Sequence, residues 1–497
     1  MTTADGVRDL LIIGGGINGA GIARDAAGRG LAVTLVEQGD LASATSWGSS
    51  KLIHGGLRYL EQYEFRLVRE ALREREVMLR LAPHIIRPLL FVLPHVASMR
   101  PTWMIRIGLW LYDHLGGKIT LPGSVHVKFP HVEYSAALKP EFRSGFVYSD
   151  CRVDDSRLTV LNAMSARGKG AEILTRTRFV DAKRADGLWT ATLEDAQTGQ
   201  RRTVKAKALV NAAGPWVADV LDRIPDDRIT AKVRLVKGSH IVVPQVHTRG
   251  HALILQNPDG RVIFVIPYEG KYSLIGTTDV AVSGIEEGTT ISETETQYLL
   301  EAASRFLAKP LAKADIVWSY AAVRPLYDDG SEDPSQITRD YVLKVDHEGG
   351  KAPLLSIFGG KITTYRCLAE EAMEKLKPYF PGLKGGWTET EGLPGGDVRH
   401  FNAFRDQMQA AYPALPRDLL EGIVRRHGSL TPRVIGEAAT MESLGTHFGA
   451  GLTQAEVDYL RREEWAATAE DVLWRRTKTG LHMDAAQREA VVRYLGA

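Results

Sequence analysis

The sequence has few cysteines and no excess of charge of either sign. Its two cysteines, Cys151 and Cys367, have no ligand-like residues near them in the chain, which argues against a disulfide framework and against a cysteine-rich metal site. The 62 Lys and Arg residues nearly balance the 60 Asp and Glu residues, so the net charge is only +2. This balance argues against a nucleic-acid-binding arm. We therefore expect no metal and no nucleic-acid partner.

Long apolar runs are also missing. Runs such as residues 89–93 fall far short of the roughly 20 residues that a membrane-spanning helix needs. The first residues show no basic segment followed by an apolar stretch, so no export signal is predicted. Together with the low cysteine content, these features predict a cytoplasmic protein that does not cross a membrane but can lie on one.

The first 37 residues have the pattern of a dinucleotide-binding βαβ unit. A short apolar strand (9–13) runs into a G-x-G-x-x-G motif, followed by a helix of small residues (17–28) and a second strand (31–36) that ends at Glu37. In this motif Gly14 permits a tight turn, Gly16 permits close approach to a pyrophosphate, and Gly19 permits close helix–strand packing. The Glu37 carboxylate can accept hydrogen bonds from a ribose. The motif does not distinguish NAD from FAD.

A second strand–glycine–helix junction lies late in the chain. Apolar residues 354–358 lead into Gly359-Gly360-Lys361, and the helix that follows has an apolar face. A helix N-terminus and a lysine at this point can stabilise the negative charge of a reduced flavin. An apolar strand at 208–213 also breaks at Gly214, and the small polar loop 41–50 can lay amides and hydroxyls along a phosphate or a ring.

Residues 84–118 form a basic, aromatic and apolar stretch. It contains Arg87, Arg100, Arg106 and Lys118 against one acid, Asp113, and it includes Trp103, Trp110 and Tyr112. Such a mixture is typical of a segment that lies on anionic lipid. Buried helices between domains also carry tryptophans, so both interpretations stay open.

Taken together, several longer motifs carry a family resemblance. They are residues 14–30, 49–60 (SSKLIHGGLRYL), 237–240 (KGSH), 276–279 (GTTD), 323–326 (VRPL), 337–341 (ITRDY) and 358–361 (FGGK). With these motifs the chain closely resembles the bacterial aerobic, FAD-dependent glycerol-3-phosphate dehydrogenases over essentially its whole length. The resemblance implies oxidation of sn-glycerol 3-phosphate to dihydroxyacetone phosphate, with electrons passing from FAD to ubiquinone. It also implies a peripheral position on the inner face of the cytoplasmic membrane, in contact with lipid, and leaves a homodimer open.

The predicted fold class is α/β with three parts. A Rossmann-like FAD-binding domain of the glutathione-reductase type comprises 1–85, 145–235 and 336–385, and an inserted mixed-sheet substrate domain comprises 86–144 and 236–335. Residues 390–497 are patterned as a helical C-terminal domain.

The resemblance also suggests the site residues. The predicted cofactor contacts are Gly14, Gly16, Asn18, Gly19, Glu37, Ser49, Ser50, Lys51, Gly214, Gly360, Lys361 and Thr363. The predicted substrate contacts are Arg58, Tyr59, Arg324 and Arg339, because guanidinium groups suit a phosphate dianion. The predicted catalytic residues are His240, Arg324 and Lys361, with His240 preferred over His54 as the base because it lies in the predicted substrate domain.

Alternative functions remain at this point. The nearest is a glycerol-3-phosphate oxidase that gives its electrons to O₂ and releases peroxide, and a second is an amino-acid oxidase of the same flavin superfamily. A soluble NAD-linked dehydrogenase or a non-catalytic nucleotide-binding protein fits the first motif alone. No serine–histidine–acid arrangement with nucleophile-elbow spacing supports a hydrolase.

Overall fold

The computed structural model describes residues 6–96, 99–224, 233–328, 340–347, 352–436 and 440–496. Strands within these ranges form two large sheets and one short hairpin. In chain order they are β1 (Arg8–Ile13), β2 (Val33–Val36), β3 (Leu52–Ile53), β4 (Ile86–Pro94), β5 (Val125–Lys128), β6 (Ser144–Val153), β7 (Glu172–Leu174), β8 (Thr177–Ala185), β9 (Leu188–Asp195), β10 (Arg201–Asn211), β11 (Val233–Pro244), β12 (Ala252–Gln256), β13 (Val262–Tyr268), β14 (Tyr272–Gly276), β15 (Val280–Val282), β16 (Trp318–Tyr327), β17 (Val342–Asp346), β18 (Leu354–Phe358), β19 (His447–Gly449) and β20 (Leu452–Thr453).

Helices connect and cover these sheets. In chain order they are α1 (Ile17–Gly28), α2 (Phe65–Leu81), α3 (Thr102–Leu115), α4 (Asp155–Gly168), α5 (Val217–Leu221), α6 (Glu293–Ser304), α7 (Tyr365–Leu376), α8 (Phe401–Ala411), α9 (Arg417–His427), α10 (Thr431–Ile435), α11 (Gln454–Glu464) and α12 (Ala485–Gly496). None of the helices in the described ranges is both long enough and apolar enough to span a bilayer.

The first sheet is a doubly covered, mostly parallel sheet. Its central order is β17-β18-β10-β1-β2-β7, and the hairpin β8–β9 extends from β10. The run Leu10–Ile13 reads as continuous apolar residues because a parallel strand in mid-sheet is buried on both faces. The sequence predictions of β1, α1 and β2 are confirmed, as is the α/β class with a mixed second sheet and a helical C-terminal part.

The second sheet is mixed, with both parallel and antiparallel strand pairs. Its central order is β15-β11-β14-β13-β12-β4-β6-β3, with β16 paired to β11 and β5 paired to β6. Strand β6 belongs to this sheet, although the predicted boundary placed residues from 145 onward in the cofactor domain. The reason is that β6 pairs with β4 along nine residue positions, a long-range contact that local patterns do not reveal.

Helix α1 packs against its neighbours through positions that have little or no side chain. A Cβ at Gly21 would lie 2.8 Å from the Tyr365 ring, and one at Gly28 would lie 2.1 Å from the Trp387 ring. Small residues here let α4 and α7 approach α1 closely, which explains why the segment reads as small-residue helix. The N-terminus of α1 is thereby held at the carboxyl end of β1.

The C-terminal helices have their own apolar core, but they are joined to the first sheet by buried charges. Asp40, which follows β2, accepts hydrogen bonds from both nitrogens of the Arg476 fork at 2.7 Å and from Arg475 Nε at 2.7 Å. A second buried pair joins Arg157 of α4 to Glu464 at the end of α11. Buried charges require such partners because an unpaired ion away from water is costly. The C-terminal part is therefore docked in one orientation.

We predict that Asp40→Asn destabilises the protein by about 3–5 kcal/mol, because it removes the carboxylate that binds the Arg476 fork and one of the carboxylates that pair with Arg475, both arginines being buried. Urea unfolding followed by circular dichroism measures the change. The matched control is Asp406→Asn, since Asp406 pairs with Arg405 but its side chain is 70% exposed. Equal midpoints for the two variants would contradict the buried-pair argument.

Candidate functional site

The first glycine motif has the close backbone packing that a dinucleotide site needs. Gly14 has φ = +112°, and a Cβ there would lie 2.4 Å from the Ala212 carbonyl oxygen. A Cβ at Gly19 would lie 1.9 Å from the carbonyl oxygen of Gly14. Gly16 is the residue before α1 and adopts an extended conformation. The three glycines therefore add no side chain of their own at the helix N-terminus, where the Ser46 hydroxyl accepts the Ile17 N–H at 2.9 Å.

Glu37 and Asn18 border this surface. Each oxygen of the Glu37 carboxylate accepts one backbone N–H, from Gly15 at 2.7 Å and from Gly39 at 2.8 Å. A carboxylate oxygen can accept more than one hydrogen bond, so Glu37 can still accept a ribose hydroxyl. The Asn18 amide donates to the Gly359 carbonyl at 3.1 Å, while its Oδ1 is buried without a hydrogen-bond partner among the described residues. Asn18 thus joins the two glycine junctions and leaves one acceptor for a ligand.

The second strand–glycine–helix junction, residues 359–361, also lies beside the start of α1, where Asn18 contacts Gly359. Gly359 and Gly360 have φ = +73° and +102°, which an L side chain rarely adopts. A short turn at Ile362–Thr364 precedes α7, so Lys361 lies just before the helix. The Lys361 ammonium lies 3.9 Å from the centre of the Tyr59 ring. Tyr59, a predicted substrate contact, and Lys361, a predicted catalytic and cofactor residue, are therefore in contact although they lie 302 positions apart.

The small polar loop between β2 and β3 is held by one carboxylate. Asp155, the first residue of α4, accepts hydrogen bonds from Ser49 Oγ at 2.7 Å and from the Lys51 ammonium at 2.9 Å and 3.1 Å. Lys51 also donates to the Trp47 carbonyl at 2.6 Å, so its three N–H donors are all in use. Its backbone N–H and carbonyl are paired as well. The Lys51 side chain therefore shapes the loop, and its role as a cofactor contact stays a prediction.

Ser49 shares this structural role, whereas Ser50 points the other way. The Ser50 hydroxyl lies 2.9 Å from His240 Nε2. Gly214, a predicted cofactor contact that follows β10, has φ = +57° and begins a short turn. The Thr363 hydroxyl accepts a hydrogen bond from the His54 N–H at 3.4 Å.

His240 is a buried, uncharged histidine. Its ring stacks on Tyr320 with centroids 4.8 Å apart, and its Nδ1 is buried without a partner among the described residues. Burial lowers the pKa of His240 to about 3, and the positive charges of Lys51 and Arg324 act in the same direction. At neutral pH the ring can accept a proton but does not carry a charge.

A buried polar cluster lies beneath His240. The Glu295 carboxylate, which caps the N-terminus of α6, accepts hydrogen bonds from Ser239 at 2.8 Å and Thr278 at 2.7 Å and pairs with Lys237 at 2.8 Å. Burial opposes ionisation, but these donors together lower the pKa of Glu295 to about 2. The carboxylate therefore links β11, which carries His240, to the segment after β14.

Two of the predicted arginines lie within the described residues, Arg324 on strand β16 and Arg58 in the short turn Leu57–Leu60. Arg324 donates to the Thr278 carbonyl at 3.3 Å and pairs with Asp279, with its side chain 42% exposed. Arg58 is exposed and donates to the Gly260 carbonyl at 3.0 Å. Arg339 lies outside the described residues.

His54 lies near Lys361 and Thr363, although His240 was preferred to it as the base from the sequence. Burial lowers the pKa of His54, the positive charge of Lys361 lowers it further, and the Asp150 carboxylate acts against both. Its ring also lies 6.4 Å from that of Phe264 on β13. The signal in the sequence was its position before the double glycine Gly55-Gly56 in the same motif as Arg58 and Tyr59. Among the described residues, no cluster of three or more His, Cys, Asp or Glu side chains is arranged to hold a metal ion.

Comparison with known families agrees with this geometry. A family model described as "FAD dependent oxidoreductase" matches residues 9–366. The chain belongs to this family of FAD-dependent oxidoreductases. A second model, "C-terminal domain of alpha-glycerophosphate oxidase", matches residues 387–495. The family resemblance predicted from the sequence motifs is confirmed.

Individual relatives of this FAD-dependent oxidoreductase are similar over nearly the whole chain. An aerobic glycerol-3-phosphate dehydrogenase from Escherichia coli is 51% identical, covering 98% of this chain and 97% of the relative. A D-erythritol 1-phosphate dehydrogenase from Brucella abortus is also 51% identical, with the same coverage. Among solved structures, the glycerol-3-phosphate dehydrogenase from Bacillus halodurans complexed with FAD superposes with a TM-score of 0.79 at 28% identity, covering 100% of this chain and 91% of that one.

The residues present fit FAD. The glycine turn that begins α1 suits its pyrophosphate, and Glu37 suits its adenosine ribose. The unpartnered Asn18 Oδ1 and the Gly359-Gly360-Lys361 junction lie where the flavin end would follow. FAD is accordingly the cofactor of this protein.

We predict that Gly19→Ala yields protein that is purified with little FAD, because the added methyl group cannot coexist with the Gly14 carbonyl. Flavin content per polypeptide, measured by absorbance after denaturation, checks this. The control is Gly168→Ala at the end of α4, where a Cβ meets no atom within 4 Å. Wild-type flavin content in Gly19→Ala would show that the motif tolerates a side chain.

Proposed function

We propose that this protein oxidises sn-glycerol 3-phosphate to dihydroxyacetone phosphate and delivers the electrons to ubiquinone. FAD, when bound, supplies the acceptor for the hydride that leaves C2 of the substrate. The observation that carries the proposal is the meeting of Lys361, Tyr59, His54 and Thr363 beside the second glycine junction. The names of the relatives support the substrate.

Binding of the substrate requires positive charge for its phosphate dianion. Arg324 and Arg58 have exposed guanidinium groups, and we propose both, together with Arg339, as phosphate contacts. Lys361 and Tyr59 are proposed to contact the hydroxyl end of the substrate. We therefore propose that the reacting carbon of the substrate lies beside Lys361, at the second glycine junction.

Oxidation of the alcohol also removes the proton of its hydroxyl group. We propose His240 as the acceptor, because burial keeps its ring uncharged. A base works best when its pKa lies near the working pH, and an anionic substrate nearby raises the pKa of an imidazole. The Ser50 hydroxyl on Nε2 keeps the ring in one orientation.

D-erythritol 1-phosphate is a second candidate substrate. The relative with that name is as similar to this chain as the E. coli enzyme, at 51% identity over 98% of the chain. Both compounds are phosphate monoesters of short polyols, so the same arginines and the same proton acceptor serve either. We favour glycerol 3-phosphate because more of the relatives carry that name.

Helix α3 supports a membrane-bound electron acceptor. Its outer side exposes Trp103, Ile107 and Trp110 (60%, 52% and 58%), next to the exposed basic residue Arg106. Apolar and aromatic side chains beside a positive charge suit the surface of an anionic bilayer. We therefore propose peripheral binding at the inner face of the membrane, where ubiquinone is available.

We predict that anaerobic addition of sn-glycerol 3-phosphate bleaches the visible flavin absorbance of the holoenzyme and that a ubiquinone analogue restores it. The same titration with D-erythritol 1-phosphate ranks the two substrates by kcat/KM. In Arg324→Ala we expect a raised KM with retained FAD, because the guanidinium group contacts the phosphate and not the cofactor.

Three results would count against this function. A spectrum unchanged by either phosphate ester would exclude both substrates. Preference for D-erythritol 1-phosphate would move the assignment to the second candidate. Stoichiometric peroxide release in air without use of the ubiquinone analogue would identify an oxidase.

We predict that the protein sediments with phosphatidylglycerol vesicles at low salt and that added salt weakens this binding, since basic residues contribute about 1 kcal/mol each at an anionic surface. The double variant Trp103→Ser/Trp110→Ser should remain mostly in the supernatant. The control Val317→Ser/Val492→Ser removes apolar groups of 50% and 47% exposure away from α3. Equal sedimentation of both variants would remove α3 as the docking surface.

A further inference from the structure

The hydroxyl of Tyr112 joins helix α3 to the segment that follows His54. It accepts a hydrogen bond from the Gly55 N–H at 2.8 Å and donates to the Asp150 carboxylate at 2.7 Å. All three residues are buried. Burial and the adjacent Asp150 carboxylate raise the pKa of Tyr112 well above its usual value, so the hydroxyl keeps the proton that it donates.

Asp150 is itself fixed from the opposite side. Arg75 on α2 donates to its Oδ1 at 2.9 Å and, with the same nitrogen, to the Ser149 carbonyl at 2.8 Å. The carboxylate therefore has one position, set by α2 and β6 together. Through Tyr112 that position is transmitted to the Gly55 amide, for which Asp150 offers only a longer contact of 3.4 Å.

The space beside the Gly55 Cα is filled by neighbouring side chains. A Cβ at this residue would lie 2.5 Å from Leu72 Cδ2 and 2.7 Å from the Tyr112 oxygen. The next residue, Gly56, has φ = +73° and begins the turn Leu57–Leu60, which carries Arg58 and Tyr59. A shift of the Gly55 amide would consequently move both proposed substrate contacts.

We propose that Tyr112 is a positioning residue for substrate binding: its hydroxyl holds the Gly55 amide and thereby sets the place of His54 on one side and of Arg58 and Tyr59 on the other. This inference rests on the proposed function, because it takes those three residues as the substrate-facing group. Tyr112 itself touches neither substrate nor cofactor. A buried amide whose acceptor is removed also loses its compensation for lost hydration, so the segment shifts to find another partner.

The neighbouring Tyr148 provides a matched control. It is as buried as Tyr112, and the two rings meet edge to face with centroids 5.8 Å apart. Its ring stacks on Phe91 in the same apolar cluster, but its hydroxyl makes no hydrogen bond to Gly55. Tyr→Phe at either position removes one oxygen atom from the same region of the core.

The experiment compares holoenzymes of wild type, Tyr112→Phe and Tyr148→Phe. For Tyr112→Phe we expect kcat/KM for sn-glycerol 3-phosphate to fall roughly tenfold or more, chiefly through a raised KM, with full FAD content. Hydrogen–deuterium exchange, read by mass spectrometry on a peptide covering residues 52–62, should accelerate in this variant. Tyr148→Phe should match wild type in both measurements.

Unchanged exchange in the 52–62 peptide of Tyr112→Phe would overturn the proposal, and so would equal losses of kcat/KM in the two variants. Loss of FAD in proportion to activity would show that Tyr112 supports the fold alone. A wild-type enzyme that does not oxidise sn-glycerol 3-phosphate would refute the proposed function instead. The exchange comparison would still decide whether Tyr112 holds Gly55.

Discussion

The site depends on one buried carboxylate, that of Asp155. Because this residue begins α4, its side chain reaches the loop between the two sheets, where it holds both Ser49 and Lys51. That loop also supplies Ser46, whose hydroxyl accepts the Ile17 N–H at 2.9 Å, and Ser50, which meets His240. One ion pair therefore fixes the spacing between the N-terminus of α1 and the second sheet. A cofactor surface and a substrate surface can face each other only if this spacing is constant.

Burial lowers the pKa of both histidines of the site, and nearby positive charge acts in the same direction. Lys51 and Arg324 act on His240, and Lys361 acts on His54. The negative charge of Asp150 acts on His54 in the opposite sense, so the two histidines do not share one environment.

The parts of the fold that could be predicted are those encoded by neighbouring residues. The βαβ unit was read correctly because its glycines, its helix Ile17–Gly28 and Glu37 lie within 37 positions and each has a local reason for its identity. Motif resemblance supplied Arg58, Tyr59 and Lys361, and the structure brings the last two into contact. The role of Lys51 was missed because its partner lies 104 positions away.

The same limit explains the other omissions. Nothing near Tyr112 in the sequence indicates Gly55, which lies 57 positions earlier, or Asp150, 38 positions later. The pairing of strand β6 with β4 was not predicted for an equivalent reason, since the two strands are distant in the chain. Local periodicity shows that a strand exists but not which sheet it joins.

The docking of the C-terminal helices has a consequence for biosynthesis. Asp40 lies just beyond the end of β2, yet its partners Arg475 and Arg476 are 435 and 436 positions later. During translation, the segment beside Glu37 is complete long before the guanidinium groups that neutralise it have been made. The salt bridges of Asp40 therefore cannot form before Arg475 and Arg476 have been synthesised, and until then the carboxylate stays hydrated and the C-terminal helices lack this anchor.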